Sequence, residues 1–225
     1  MLSRSRTGSN LLISLLNSHP HIKAEGEIFS KLNGKNYKEV LAKAFSKQPY
    51  FVKAKGFKIF YYHPQDDCSC GIWDELQSMK DLYVIHLKRR NILRTLISRK
   101  IAGIQDVWVV RSDRRSSSRK EQTCISFTVD ELNEGFRQTR EWEDAGHNKF
   151  RNHPLLSINY EDLINDRSTI FRELTEFLDV QDTQPKTNLK KQNHRSMKET
   201  ITNYNQLKLA FVETEWASFF EEDNA

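Results

Sequence analysis

Cysteine is scarce in this 225-residue chain: Cys68, Cys70 and Cys124 are the only three, and they cannot form an even disulfide framework. A reducing, cytoplasmic setting is therefore expected. Cys68-x-Cys70 lacks a second cysteine pair to complete a zinc site, and no other metal-ligand cluster stands out, so no metal is expected. No signal-peptide pattern is visible. The apolar run at 11–16 is broken by Ser14 and is too short to span a bilayer, so no transmembrane segment is expected. Internal repeats and long linkers are missing too. So is the GK[ST] that completes a nucleotide-triphosphatase loop, although the chain opens with "SRTGSNLL", a glycine among small hydroxyl residues before an apolar run.

The length suits one sizeable α/β domain over 1–225. Lys and Arg (35) exceed Asp and Glu (30) by five, and the isoelectric point is about 9.0. That balance suits an anionic partner without naming it. Apolar spacing predicts a helix over 10–17, where Leu11 pairs with Leu15 and Leu12 with Leu16, and a second over 37–45. "YFVKAKGFKIFYY" (50–62) reads as strand with a turn near Gly56, and "DLYVIHL" (81–87) as a short, central, parallel strand. A basic helix is expected over 89–103. Thr128-x-x-Glu131 is a capping box that starts a helix running to about Glu143. "LLSINY" (155–160) reads as strand, 169–178 as amphipathic helix, and 198–212 as a last helix. Residues 111–122, "RSDRRSSSRKEQ", read as a mobile loop, and 179–198 as polar loop. Alternating strands and helices give an α/β fold with a mostly parallel sheet. A phosphate loop should follow a buried strand, yet only Met1, Leu2 and Ser3 precede Arg4. Either the natural start lies upstream or the sheet accepts a very short strand.

Two stretches carry chemistry. In "SRTGSN", Gly8 lets the backbone approach an anion, and the following helix N-terminus aims free N–H groups at it. Thr7, Ser9 and Asn10 offer side-chain donors, and Arg6 a permanent planar cation. Taken alone, the same residues also fit a helix-capping turn. In "HLKRRNILRTLISRK" (86–100) there are basic residues and no acidic one. Arg90 sits at a strand end, and Ser98 lies eight residues on, about two helical turns away. Such a pair can hold a phosphate. A solvated basic face is the competing reading.

As a pair, in this order and about 80 residues apart, the two stretches resemble the cofactor motifs of sulfotransferases that use 3′-phosphoadenosine 5′-phosphosulfate (PAPS). "SRTGSNLL" is similar to the motif that grips the 5′-phosphosulfate, and "RRNILRTLIS" to the one that grips the 3′-phosphate. "SHPHIKAEGEIF" resembles the stretch after the first motif in nodulation-type and trehalose-type bacterial carbohydrate sulfotransferases. "INYEDL" (158–163) resembles a late strand end of the family, and "LKKQN" (189–193) a late basic loop that closes over the nucleotide. The resemblance spans about residues 4–210. It departs from the pattern in the short first strand and in Ser5, where the family commonly has proline.

The resemblance implies a P-loop-like three-layer fold, a mostly parallel sheet flanked by helices. It implies PAPS as donor co-substrate and no metal. The acceptor hydroxyl would belong to a carbohydrate or glycolipid. Arg6, Thr7, Gly8, Ser9 and Asn10 would hold the phosphosulfate, Arg6 also stabilising charge as the sulfuryl group leaves. Arg90, Ser98, Lys190 and Lys191 would hold the 3′-phosphate; a plain solvated loop is the other reading for the two lysines. Glu27 would be the base, with Glu25 two residues away as runner-up; on one strand the two would share a face, so spacing does not separate them. His63 is a further candidate base or substrate contact, and Lys58 a candidate to reach the sulfuryl group. Two other enzyme or fold readings stay in view: a P-loop kinase or NTPase, which lacks its lysine here, and an inactive sulfotransferase-like nucleotide-binding protein. A nucleic-acid module would need aromatics interleaved with the basic residues, and the basic helix carries none, so no nucleic-acid partner is expected.

Overall fold

The computed structural model describes residues 1–105, 123–187 and 195–221. In chain order the elements are β1 (Leu2–Ser3), α1 (Ser9–Leu16), β2 (Ile22–Glu25), α2 (Tyr37–Ala44), β3 (Ala54–Phe57), β4 (Ile59–Phe60), α3 (Ile72–Ser78), β5 (Val84–Lys88), α4 (Ile92–Gln105), α5 (Val129–Lys149), β6 (Leu155–Asn159), α6 (Tyr160–Asn165), α7 (Arg167–Phe177), α8 (Met197–Thr200), α9 (Tyr204–Ala210) and a closing 3₁₀ turn, Ala217–Phe220. They group into two compact units. One comprises Met1–Lys88 and Trp142–Thr187; the other is built from the described residues of Arg89–Glu141 and Asn188–Ala225.

The first unit holds the sheet. Its order is β4-β1-β5-β6, and every pairing is parallel. The expected strand before the loop is there and is only two residues long: Leu2 pairs with Ile59 and His86, Ser3 with Phe60 and Leu87. Hydrogen bonding on both sides lets so short a strand sit at the centre of the sheet. Side chains alternate across β5. Ile85 and Leu87 join Leu12, Leu15, Ile158, Phe171 and Leu174 on one face; Val84 packs with Leu2, Ile59, Ile72 and Phe150 on the other. Both faces are therefore covered, as a parallel sheet requires. The fold is α/β with a mostly parallel central sheet flanked by helices.

The stretch 50–62 does not form one strand with a turn at Gly56. Gly56 lies inside β3, which pairs with β2 in a separate two-stranded parallel sheet, and the break falls at Lys58. The Lys58 N–H leaves the ladder and donates to the carbonyls of Glu25 (3.2 Å) and Gly26 (3.3 Å). The β6 strand stops at Asn159, so "YEDL" opens a helix instead of ending a strand. Helix α3 follows a Cys- and Asp-rich turn that showed no helical period.

The second unit is helical. Ile92, Leu93, Phe136, Phe211 and Phe220 are all at most 1% exposed within one cluster. The capping box exists: Glu131 N–H donates to Thr128 Oγ1 (3.1 Å) and Thr128 N–H to Glu131 Oε2 (2.8 Å). The α5 helix it starts runs on to Lys149, past the expected end near Glu143. The expected helix over 198–212 divides into α8 and α9, because Ile201 turns extended to bridge Ile125. The segment 111–122 lies outside the described residues.

Phe171 is fully buried at the centre of the α1–β5–β6–α7 packing. Phe171→Ala should cost about 3–5 kcal/mol of stability, read as a lowered denaturant midpoint.

Candidate functional site

In an open parallel sheet, ligands bind beyond the carboxyl ends of the strands, where the strand order reverses. Here that point is the carboxyl end of β1, flanked by β4 on one side and β5 on the other. Residues 4–8 turn the chain there and enter α1. Arg6 (φ 69°) and Gly8 (φ 85°) both adopt left-handed backbone. Gly8 has no alternative: a Cβ there would stand 2.2 Å from Cδ2 of Tyr160, the first residue of α6. Thr7 Oγ1 donates to the Arg4 carbonyl (2.8 Å) and closes the turn on itself. Gly8 is also the N-cap of α1, and no side-chain oxygen caps that end. The first N–H groups of α1 are therefore offered to an anion without a competing cap. Ser9 is buried at this end. The Arg6 guanidinium is largely desolvated, and burial holds its pKa below the ordinary value. Arginine stays cationic under any such shift. Beneath the turn, the buried Arg4 lies 5.5 Å from the centre of the Trp142 ring.

Next to this turn sits a buried lysine. Lys58 is 4% exposed, and its Nζ lies 2.9 Å from Glu27 Oε1 and donates to Asn10 Oδ1, in the first turn of α1. Glu27 therefore shares its cation with the anion loop. Its other oxygen lies 3.9 Å from Nε2 of buried His63. His63 Nδ1 accepts from the Phe60 N–H (3.3 Å), which leaves the ring proton on Nε2, facing the carboxylate. Burial, opposed by Glu27 and reinforced by Lys58, pushes the His63 pKa down to about 4, so the ring is neutral near pH 7. The indole N–H of Trp73 donates to the His63 carbonyl (2.8 Å) and fixes the backbone at this corner.

Glu25 and Glu27 part company. Glu25 is the last residue of β2, and its carboxylate meets Lys55 at 3.9 Å. Glu27 lies beyond the strand, in the turn that follows, and so escapes the strand alternation that would have put the two on one face. Of the residues expected in the first unit, Arg6, Thr7, Gly8, Ser9, Asn10, Lys58, Glu27 and His63 form one neighbourhood, and Glu25 points to another lysine.

Arg90 and Ser98 belong to the second unit. Arg90 follows the carboxyl end of β5 and is exposed; Ser98 lies on α4 and is half-buried. Between them Asn91, which sequence reasoning missed, anchors the connection. Its Oδ1 accepts from the Arg94 N–H (3.2 Å) as the α4 cap, and its Nδ2 donates to the Phe219 carbonyl (3.0 Å). The signal was legible, since an asparagine directly before an apolar-periodic run is a start mark. Tyr160 had no such signal, because its role depends on contact with Gly8 across the sheet edge. Lys190 and Lys191 lie outside the described residues. Among the described residues no group of three or more His, Cys, Asp or Glu could hold a metal ion, and no helix is long and apolar enough to cross a membrane.

Residues 69–206, more than half of the chain, match the Stf0 sulphotransferase family. The chain belongs to that family. Its sequence is 28% identical to nodulation protein H of Rhizobium tropici over 246 aligned residues, covering 100% of this chain and 93% of that protein. Against nodulation protein H of Rhizobium meliloti (strain 1021) the identity is 26%, over 98% and 94% of the two chains. A sulfotransferase from Alicyclobacillus acidocaldarius has the same fold, with TM-score 0.53 at 14% identity over 94% of this chain and 90% of that one. The protein is a sulfotransferase, and the reading as a P-loop kinase or NTPase falls away.

This sulfotransferase buries two histidines in neutral form. His86, hydrogen-bonded to the Tyr61 hydroxyl at 2.7 Å, is pushed down to about 3, chiefly by burial and further by Lys88 and His147. The unfolded chain takes up protons at His63 and His86 near the ordinary value of 6.5, whereas the folded chain does so only near 4 and 3. Their contribution to stability is thus complete above 6.5 and declines as pH falls through that window. Denaturant midpoints measured from about pH 7 down to about pH 5 should fall, and His63→Gln should flatten that slope.

Proposed function

We propose that this sulfotransferase moves the sulfuryl group of PAPS to a hydroxyl of a carbohydrate or glycolipid acceptor, with Glu27 as the base. The observation that carries the reading is the convergence of an uncapped helix N-terminus, Arg6 and the Lys58–Glu27 pair on one short turn. The turn fits a phosphosulfate. Tyr160 occupies the place a Gly8 side chain would take and backs the turn, which leaves the backbone N–H groups at the start of α1 for the anion.

The donor brings an activated sulfuryl group whose leaving group is the 5′-phosphate of adenosine 3′,5′-bisphosphate. The α1 N-terminus and Ser9 hold that phosphate, with Thr7 and Asn10 assisting. Arg6 stabilises the charge that grows on the bridging oxygen as the bond to sulfur breaks. Glu27 takes the proton of the acceptor hydroxyl as its oxygen attacks sulfur in line. Lys58 spans Asn10 and Glu27 and stands ready to neutralise the transferring group. His63, neutral and buried, stands with its Nε2 3.9 Å from the Glu27 carboxylate, beyond hydrogen-bond distance, and lines the corner that holds the base. Arg90 and Ser98 hold the 3′-phosphate, and Lys190 and Lys191 extend that hold. One domain over 1–225 carries out the reaction. The acceptor class rests on the likeness of "AEGEIF" to nodulation-type carbohydrate sulfotransferases and on kinship with nodulation protein H.

Calorimetric titration tests the donor. Adenosine 3′,5′-bisphosphate should bind in clear preference to adenosine 5′-monophosphate and ATP; equal affinities would remove the 3′-phosphate site. Arg90→Ala should weaken the bisphosphate about 10- to 150-fold and leave the monophosphate unchanged. Glu27→Gln should keep bisphosphate binding and lower transfer by about 10²- to 10⁴-fold. Transfer at full rate in that variant would move the role of base elsewhere.

A further inference from the structure

Charge is unevenly spread along the chain. Residues 31–58 hold eight lysines, no arginine and one carboxylate, Glu39, a net of +7 in a chain whose total is +5. Two of these lysines have partners: Lys58 is in the site, and Lys55 meets Glu25 at 3.9 Å. Others gather around the turn that leads into β3. Lys55 Nζ lies 3.5 Å from the Lys43 carbonyl, and Lys23 donates to Gln48 Oε1 at 3.2 Å, next to Lys47. Lys53, exposed at the end of the turn, is tied by its N–H to the His21 carbonyl (2.9 Å).

The tip of this turn is aromatic. Tyr50 is 97% exposed and Phe51 46% exposed, their rings edge to face with centres 5.9 Å apart. The tip is not loose: His21 Nδ1 is 2.6 Å from the Phe51 carbonyl. Where the turn enters β3 at Lys53 and Ala54, an apolar cavity of about 520 Å³ opens, with Phe45, Phe57 and Ile59 among its walls and Lys23 and Lys55 beside them. Met1 and Val84 also line it, which places it at the amino ends of β1 and β5, the edge of the sheet opposite the anion loop. Two carboxylates, Asp81 and Asp179, complete the lining.

We propose that this face docks the protein on an anionic lipid bilayer, with Tyr50 and Phe51 in the headgroup layer and Lys23, Lys43, Lys47 and Lys53 on the anionic lipids. Aromatic rings favour the boundary between headgroups and acyl chains, and lysines on flexible stems gain from the negative surface potential of a bilayer. A nucleic acid fits less well. The segment lacks the planar arginine fork suited to phosphate, and its aromatics stand as one protruding pair instead of a row along a basic groove. The cavity beside Lys23, Lys53 and Lys55 gives the lysine face an apolar recess for an acyl chain.

Flotation of the whole chain with vesicles tests this, with neither sulfuryl donor nor acceptor present, so the outcome is independent of the transfer reaction. Vesicles of phosphatidylcholine with about one-third phosphatidylglycerol should capture the protein at least tenfold better than phosphatidylcholine alone, and about 1 M salt should release it. Lys47→Gln with Lys53→Gln should weaken capture about 30-fold, since each lysine near such a surface is worth about fivefold. Tyr50→Ser with Phe51→Ser should also release it, with the denaturant midpoint unchanged. Equal capture by both vesicles, or full capture of the double variants, overturns the proposal. So does retention on heparin without vesicle capture, which would mean a soluble polyanion. Monomeric dodecyl phosphate bound as tightly as vesicles overturns it in favour of a cavity ligand.

Discussion

Gly8 and Tyr160 meet at a distance that only glycine permits, and the turn between β1 and α1 is built around that contact. The tyrosine comes from the carboxyl end of β6, the glycine from the turn after β1, and β5 lies between the two strands. The shape of the turn therefore depends on the assembled sheet. Once it is, Gly8 is held in left-handed backbone, α1 starts without a side-chain cap, and its N–H groups face outward from the strand ends. The two-residue strand β1 suffices because its ladders run to both neighbours.

Charge around the turn is arranged by burial as much as by proximity. Lys58 is nearly out of contact with water, and a buried ammonium needs partners. It finds them in Glu27 and Asn10, which ties the carboxylate to the helix that carries the anion loop. His63 stays neutral at the same corner because burial outweighs the pull of Glu27. A neutral ring there leaves Lys58 as the cation of Glu27. Family membership establishes sulfuryl transfer as the class of chemistry; at this corner a carboxylate and a buried lysine stand together.

The opposite edge of the same unit has a different character. It collects lysines without arginines, exposes two adjacent aromatic rings and opens on apolar walls. The second unit has its own aromatic core, and Asn91 near its start caps α4 and donates to the Phe219 carbonyl.

Local sequence determined a good deal. The 3.6-residue spacing in 10–17, the capping box Thr128-x-x-Glu131 and the apolar run of β5 marked their elements because helices, caps and buried strands each impose a local pattern. The turn with Gly8 and the helix after β5 were legible for the same reason, since a glycine before an apolar run and a 3.6-residue spacing are local marks. Tertiary structure alone decided the rest. It broke 50–62 at Lys58 and sent the halves to different sheets, because hydrogen-bond partners come from distant segments. It turned "YEDL" into a helix under Gly8. It brought Glu27 to Lys58 and left Glu25 with Lys55, a choice that two carboxylates two residues apart cannot express, since it depends on where β2 ends and on what packs against it.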